Sequence, residues 1–513
     1  MNGKLALIAG GHLAPITLAC MTLWTSPTDC AARPSNTIVP PASISPHGQV
    51  FSKWLADPLS AMPEAAQRYG ATADGTAPKC AEETNAASPL TLAVAVELAI
   101  CRSPDLVSTW AGIKLRAGAL GEARAAYLPT ISTQASRQRT DSTNADEMRT
   151  SVRGYGMSIG MNWRLFDFGT RSAQQRKANE LLLAALAEHD ATLQKMFAET
   201  VQAYFDTGTA RSAWQDSIHA SQLAEQTVAS AMRRESAGTA SRGDALQAIA
   251  AHAKARLDQG RAHSAYDKLA MAFNIRMGRP VDLPLVLALD NDEENGEPGL
   301  ETVSEDVVGD LNSWLIAARS HHPAMHAAQA RWRAASAALA AAQVEGAPAI
   351  DLSINAYRNG YPGQGLSRNP SHVSTLGIAV SFPLFDGFAR GYRIKQARAQ
   401  EQQEQAVMDN TGQSIVLDVV NLHTEARTAI SNLRASRQLI EAADEALHSV
   451  NRKYAGGVAD IQELLTAERA ASEAHRERTR CLAEWRAARM RLMASAGLLG
   501  FSLMQDATFE RHD

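Results

Sequence analysis

Pro104 recurs as Pro323 and Pro129 as Pro348, each 219 residues further along the chain. The same interval carries Leu165-Phe166-Asp167 to Leu384-Phe385-Asp386, Gly238 to Gly457, Leu246 to Leu465 and Gly278 to Gly497. A constant interval over so many landmarks means a tandem duplication with almost no net insertion or loss. The unit far exceeds the roughly 20–50 residue modules of solenoids. Each copy must therefore be a half-domain of several elements, and the fold must have two matching halves.

Each copy opens with a helix. Leu90, Ala93, Val94, Leu98, Leu106, Trp110, Leu115 and Leu120 fall at rough helical spacing, and the pattern predicts a helix over 90–126, stopped by Pro129. The second copy repeats it from Asp310 to Glu345, with Pro348 as the stop. Two period-two segments follow. Tyr155, Met157, Ile159, Met161, Trp163 and Leu165 alternate with glycine and polar residues, as do Leu376, Ile378, Val380, Phe382 and Leu384. A weaker alternating strand precedes each, through Ile131, Thr133 and Ala135 and through Ile350, Leu352, Ile354 and Ala356. Polar loops are expected over Thr140 to Arg149 and Asn359 to His372, so each copy carries one hairpin. The non-apolar face is mostly Gly, Ser, Asn and Ala. Strands of about 10–12 residues suit a tilted membrane crossing, with Tyr155 and Trp163 at interfacial depth. An ordinary antiparallel sheet has the same alternation, and these segments alone leave both readings open.

The long helices come next. From Thr170 to Arg234 there is no proline, and the only glycine is Gly208. A break around Gly238 leads to a second helix, Asp244 to Met277. The other copy reads Phe388 to Tyr454, a break at Gly456-Gly457, then Asp460 to Ala496. A helix of that length spans about 100 Å. It needs partners along its whole length, as coiled coils do.

The 513 residues are 5% aromatic and carry a formal net charge of −4, which excludes a strongly basic nucleic-acid binder. Lys4 and the apolar run Leu5 to Trp24 resemble a secretory signal, placed at 1–32. Residues 33–88 read as a Pro/Ser/Ala-rich extension, 89–278 as the first repeat, 279–309 as an exposed acidic linker, 310–500 as the second repeat and 501–513 as a tail. No stretch outside the leader approaches a transmembrane helix. Cys20 and Cys30 go with the leader. Cys80 and Cys101 bracket the start of the first repeat, and an oxidising compartment predicts a disulfide between them. Cys481 reads as a buried small hydrophobe.

Membrane strands cannot leave an edge in lipid, where each unpaired backbone group costs several kcal/mol. Four strands per chain are too few for a barrel, so hairpins in a membrane require several chains to close one wall. The order of helix, hairpin, Leu-Phe-Asp, long helix, glycine turn and helix resembles the TolC-like outer-membrane efflux family. The resemblance rests on Ala125-Ala126-Tyr127-Leu128-Pro129, Trp163 to Gly169, Phe382 to Gly387 and Tyr454-Ala455-Gly456-Gly457, and it covers about 89–500. It implies a mainly α chain with a membrane β-barrel. Three copies would close a 12-stranded barrel over a helical periplasmic tunnel. The implied partners are two further copies, a periplasmic adaptor, an inner-membrane ABC exporter, an exported protein and outer-membrane lipid. Leu98-Ala99-Ile100-Cys101-Arg102-Ser103-Pro104 is similar to members serving type I toxin secretion. A drug or metal efflux outlet and a periplasmic coiled-coil scaffold are the alternatives.

No catalytic motif is visible and no cofactor is implied. His321, His322 and His326 lie close together in sequence, more in the manner of surface histidines at a helix start than of metal ligands. The resemblance places adaptor-contacting tips at Gly238, Gly456 and Gly457. Asp244 and Glu463 are repeat equivalents, and three-fold repetition would make each a carboxylate ring at the entrance. An Asp at a helix start is also a common cap. Glu463 matches an acidic gate position of the family, whose second acid is Thr466 here. Tyr454 matches a latch tyrosine, while Ala459 stands where the family's latch arginine would be.

Overall fold

The computed structural model describes residues 89–143, 149–288, 308–358 and 371–497. The expected leader, extension and tail lie outside these residues. The first half contains α1 (Leu92–Cys101), α2 (Pro104–Ala125), β1 (Thr130–Thr143), β2 (Arg149–Phe166), α3 (Thr170–Ser236) and α4 (Arg242–Arg276). The second half contains α5 (Leu311–His321), α6 (Pro323–Val344), β3 (Ala349–Arg358), β4 (His372–Ser381), α7 (Ala389–Ala455) and α8 (Ile461–Ser495). The limits of α2, α3 and α4 reappear in α6, α7 and α8 at the 219-residue interval. The duplication is therefore structural as well as textual.

The opening helix expected over 90–126 is two helices, and so is its counterpart over 310–345. Proline has no N–H to continue a helix and pushes the preceding residue out of α geometry. Pro104 and Pro323 accordingly begin new helices. Ser103 Oγ accepts the Leu106 N–H at 3.3 Å, and His322 Nδ1 accepts the Ala324 N–H at 3.2 Å. Gly278 and Gly497 end α4 and α8 with φ of +65° and +71° and press against these two breaks. A Cβ on Gly278 would sit 2.9 Å from Arg102 Cβ, and one on Gly497 would sit 2.8 Å from the His321 carbonyl oxygen.

The four strands form one antiparallel sheet in the order β1-β2-β3-β4, so the two hairpins join through β2 and β3. β1 and β2 have 14 and 18 residues and run into the segment expected to be loop, as far as Thr143 and from Arg149. The backbone pairing runs on through these polar residues, from Thr140 opposite Val152 to Thr143 opposite Arg149. Directly paired residues share a face. Ile131 pairs with Met161, Met161 with Ile354 and Ile354 with Leu376 in one apolar row across the sheet. This face is open: Ile131 is 71% exposed, Leu376 74% and Ile378 70%. The opposite face carries Ser132, Gly160, Asn355 and Thr375 in register. Among the described residues the outer edges of β1 and β4 have no strand partner.

The Leu-Phe-Asp motif is the joint between sheet and helices. Asp167 Oδ2 accepts from the Arg171 backbone N–H at 2.9 Å and from Arg171 Nε at 3.0 Å. The Arg171 guanidinium also donates to the carbonyls of Ala126, Arg164 and Leu165. One side chain thus ties the end of α2, the end of β2 and the start of α3. In the second half Asp386 accepts from the Arg390 N–H at 2.8 Å, and Arg390 donates to the Gln343 carbonyl at 2.6 Å. The chain swings between strand and helix through paired left-handed residues, Phe168-Gly169 and Gly387-Phe388.

The long helices α3 and α7 each have 67 residues and so run for about 100 Å. Near the sheet, α3 packs on α2 and on α6 of the other half, where Arg331 Nε meets Glu188 at 2.8 Å. Further down, α3 packs on α4, α7 on α8, and α3 on α8 across the repeat. The main core gathers Phe197, Val201, Tyr204, Phe273 and Met277 around α1. The linker expected to be exposed over 279–309 departs from that reading at both ends. Leu285 and Leu287 are buried in this core, the Leu90 N–H donates to Val286 O at 2.7 Å, and Val308 is buried against α7 and α8. Apolar alternation at Val281, Leu283, Leu285 and Leu287 accounts for the docked start. The acidic residues 290–297 lie outside the described residues.

Candidate functional site

The helical hairpins turn at two tips, and both use the same geometry. The Gly238 N–H donates to Glu235 O at 2.9 Å and the Thr239 N–H to Arg234 O at 2.9 Å. Gly457 and Val458 repeat these bonds to Tyr454 O and Lys453 O. This pattern needs a left-handed residue after the helix, supplied by Gly238 at φ +74° and Gly457 at φ +76°. Gly456, singled out with them, caps the helix with right-handed φ of −76°.

Past each turn sit the two acids, in different states. Asp244 closes a capping box: Ser241 Oγ accepts the Asp244 N–H at 3.1 Å, and the Asp244 carboxylate accepts the Ser241 N–H at 3.0 Å. At Glu463 the cap is Asp460, whose carboxylate accepts the Glu463 N–H at 2.7 Å. The Glu463 carboxylate is exposed and has no hydrogen-bond partner among the described residues. Thr466, in the next turn, turns its hydroxyl back onto the Gln462 carbonyl.

Tyr454 is 8% exposed and packs with Ala459, Ile461, Leu464 and Leu465. The Arg234 guanidinium lies 4.5 Å from its ring centroid. This cation–π contact joins the first tip to the second. Gln462 Nε2 donates to Gln247 Oε1 at 2.8 Å across the same divide. The structure thus brings Gly238, Tyr454, Gly457 and the helix starts bearing Asp244 and Glu463 into one end of the helical bundle. Arg234 escaped the sequence reading because a basic residue in a helix's last turn has an ordinary explanation in the helix dipole.

Above the tips, Glu468 of α8 is 9% exposed and faces α3, where Thr227 Oγ1 donates to its Oε1 at 2.7 Å. Burial pushes its carboxyl above the usual range, against the pull of that hydrogen bond and of Arg469. A signal existed here: Ile461, Leu464, Leu465, Glu468 and Ala471 form one helical stripe with an acid among apolar residues.

On the small-residue face of the sheet, Arg164 and Asp351 pair across β2 and β3 with Nε–Oδ1 at 2.9 Å and Nη2–Oδ2 at 3.4 Å. The three histidines lie where α5 gives way to α6. His322 caps α6, with its pKa lowered by burial, and His321 Nδ1 lies 2.7 Å from Ser320 Oγ. Among the described residues no group of acids, histidines and cysteines could hold a metal ion. Cys101 is disulfide-bonded, while Cys80, its expected partner, lies outside the described residues. Cys481 is a buried free thiol. No helix among the described residues is long and apolar enough to cross a membrane.

The family described as outer membrane efflux protein matches residues 95–271 and 314–498, one match per repeat. The chain is similar to Protein CyaE of Bordetella pertussis, with 34% identity over 426 residues, covering 82% of this chain and 87% of that protein. It is also similar to Proteases secretion protein PrtF of Dickeya chrysanthemi, with 29% identity over 153 residues, 30% of this chain and 33% of that one. Among solved structures, the outer membrane protein VceC of Vibrio cholerae superposes with a TM-score of 0.67 at 20% identity. That likeness covers 79% of this chain and 96% of that chain and speaks for the fold.

Proposed function

The chain belongs to the outer membrane efflux protein family, and on that premise we propose that it is the outer-membrane exit duct of a type I protein secretion system. Three copies close one 12-stranded barrel and continue it as a periplasmic tunnel of helices. The duct takes a protein toxin handed on by an inner-membrane ABC exporter through a periplasmic adaptor. One observation carries this reading. Among the described residues the sheet exposes most of its apolar face and leaves both edges unpaired, which suits a wall bathed in lipid and shared among copies. The similarity to PrtF, named for protease secretion, supports protein as the cargo.

The tips with Gly238, Gly456 and Gly457 are the adaptor's docking points. Arg234 over Tyr454 holds the two hairpins together at the entrance, a clasp that uses α3 in place of the arginine missing at Ala459. Glu463, and more weakly the cap-bound Asp244, line the opening with negative charge. The deciding experiment is secretion of the cognate toxin in a host carrying the exporter, the adaptor and either wild-type duct or Gly457→Pro. Proline cannot adopt φ of +76°, so the turn is rebuilt while sheet and core stay. The expected outcome is trimers in the outer membrane with secretion reduced at least about tenfold, near 1.4 kcal/mol of coupling. Undiminished secretion by that variant overturns the assignment of the tips.

A further inference from the structure

The face of the sheet that carries the apolar rows does not stay apolar to its far end. Arg137 pairs directly with Tyr155, and Arg139 pairs directly with Arg153. Paired residues share a face, so all three guanidiniums stand on the same side as Ile131, Met157, Ile159 and Met161, just past the aromatic that ends the apolar run. All three are exposed. Arg358, paired with Met157, adds a fourth cation on this face further along the sheet. The acid nearby is Asp141, which accepts from Arg139 Nε at 3.1 Å. Arg137 and Arg153 have no ion pair among the described residues.

Two like charges directly opposite each other on a strand pair repel. Among the described residues, three arginines stand around one position with a single carboxylate between them, a cluster that attracts an anion. Its place narrows the anion further. From Trp163 to Tyr155 the apolar face runs eight residues, about 26 Å along the strand at roughly 3.3 Å per residue. At the roughly 40° strand tilt of outer-membrane barrels this rises about 20 Å, and the two further residues to Arg153 bring the rise to the height of the apolar band, about 25 Å. The helices leave from the other end of these strands, so the arginines lie at the hairpin end, at headgroup depth of the leaflet facing away from the helices.

We propose that Arg137, Arg139 and Arg153 bind the phosphate of an anionic lipid in that outer leaflet, its acyl chains lying along Met157 and Ile159. Guanidinium forks match phosphate oxygens two by two, which lysine cannot do. The proposal rests on the sheet being a barrel wall in lipid.

The test uses the full-length protein in detergent, as wild type and as Arg137→Gln/Arg139→Gln/Arg153→Gln. The probes are bisphosphorylated lipid A, the same lipid stripped of phosphate, and inorganic phosphate. Binding is read by native mass spectrometry and by the rise in melting temperature. Wild type should bind the bisphosphorylated lipid roughly a hundredfold more tightly than the triple variant at low salt, from three lost cations. The stripped lipid should bind both proteins alike and weakly. Equal binding by variant and wild type, or equal binding of stripped and phosphorylated lipid, overturns the proposal. Stabilisation by inorganic phosphate equal to that by the lipid overturns it too, since the site would then be for a free anion. Heat-modifiable migration of the variant on gels separates these outcomes from failure of the barrel reading. A variant that still forms the heat-modifiable species but loses the lipid isolates the arginines.

Discussion

Gly278 and Gly497 show why the duplication kept glycine at one matched position. Each needs a left-handed backbone, and each lies against the break between two helices with no room for a methyl group. Gly278→Ala and Gly497→Ala should each destabilise the protein by about 2–3 kcal/mol, from left-handed strain plus the clash. Gly118→Ala, in the middle of α2 with open space around it, should instead stabilise by about 1 kcal/mol. Thermal melting followed by helical circular dichroism checks both signs at once. Asp167 and Asp386 have the same standing: the Phe-Asp pair was legible as a landmark, while its purpose was not. Only the structure reveals that Asp167 orients the Arg171 guanidinium toward the Ala126 carbonyl, while Asp386 caps the Arg390 N–H and pairs with Arg393 as Arg390 reaches the Gln343 carbonyl.

At the scale of elements, the seam between α3 and α8 buries Glu468 among small and apolar neighbours. Glu468 faces Thr227, Leu223 and Ala224 of α3, with Lys254 of α4, Asp444 of α7 and its own neighbour Arg469 bordering the same groove. Burial raises its pKa, so the folded seam favours the protonated acid. Its contribution is fully present below the ordinary glutamate range and is lost as pH rises through the raised value. Each unit of that rise is worth about 1.4 kcal/mol. Glu468→Gln should therefore melt with little change as pH rises, while wild type loses stability. Parallel melting curves for the two proteins would remove Glu468 from the account. The long helices, hairpins and tips were all legible, because alternation and the absence of proline are strong local signals. The split of the opening helices was less so, since the apolar spacing runs on through Ser103-Pro104 and only the cap geometry marks the stop. The docked start of the linker was hidden because acidic residues further along dominate its composition. Arg234 and Glu468 were illegible as partners because their contacts span the repeat.

For the whole molecule, the trimer proposed above makes its own electrostatic test. Glu463, free of cap bonds, should set the cation preference of the pore in planar bilayers, and Glu463→Gln should lower the cation-to-anion permeability ratio severalfold. Asp244→Asn should lower it less, because its carboxylate is already engaged with the Ser241 N–H. An unchanged ratio in both variants would remove both acids from the pore's selectivity and leave Asp244 as a helix cap.

The two tips share a backbone but not their side chains: where one offers Tyr454 and a buried Leu465, the matched places hold Glu235 and an exposed Leu246. A ring built from three such chains would look six-fold to anything that touches only main chain and three-fold to anything that reads side chains. A partner arriving as six identical units would therefore meet two unequal kinds of seat, alternating around the rim, and would have to fill one kind before the other.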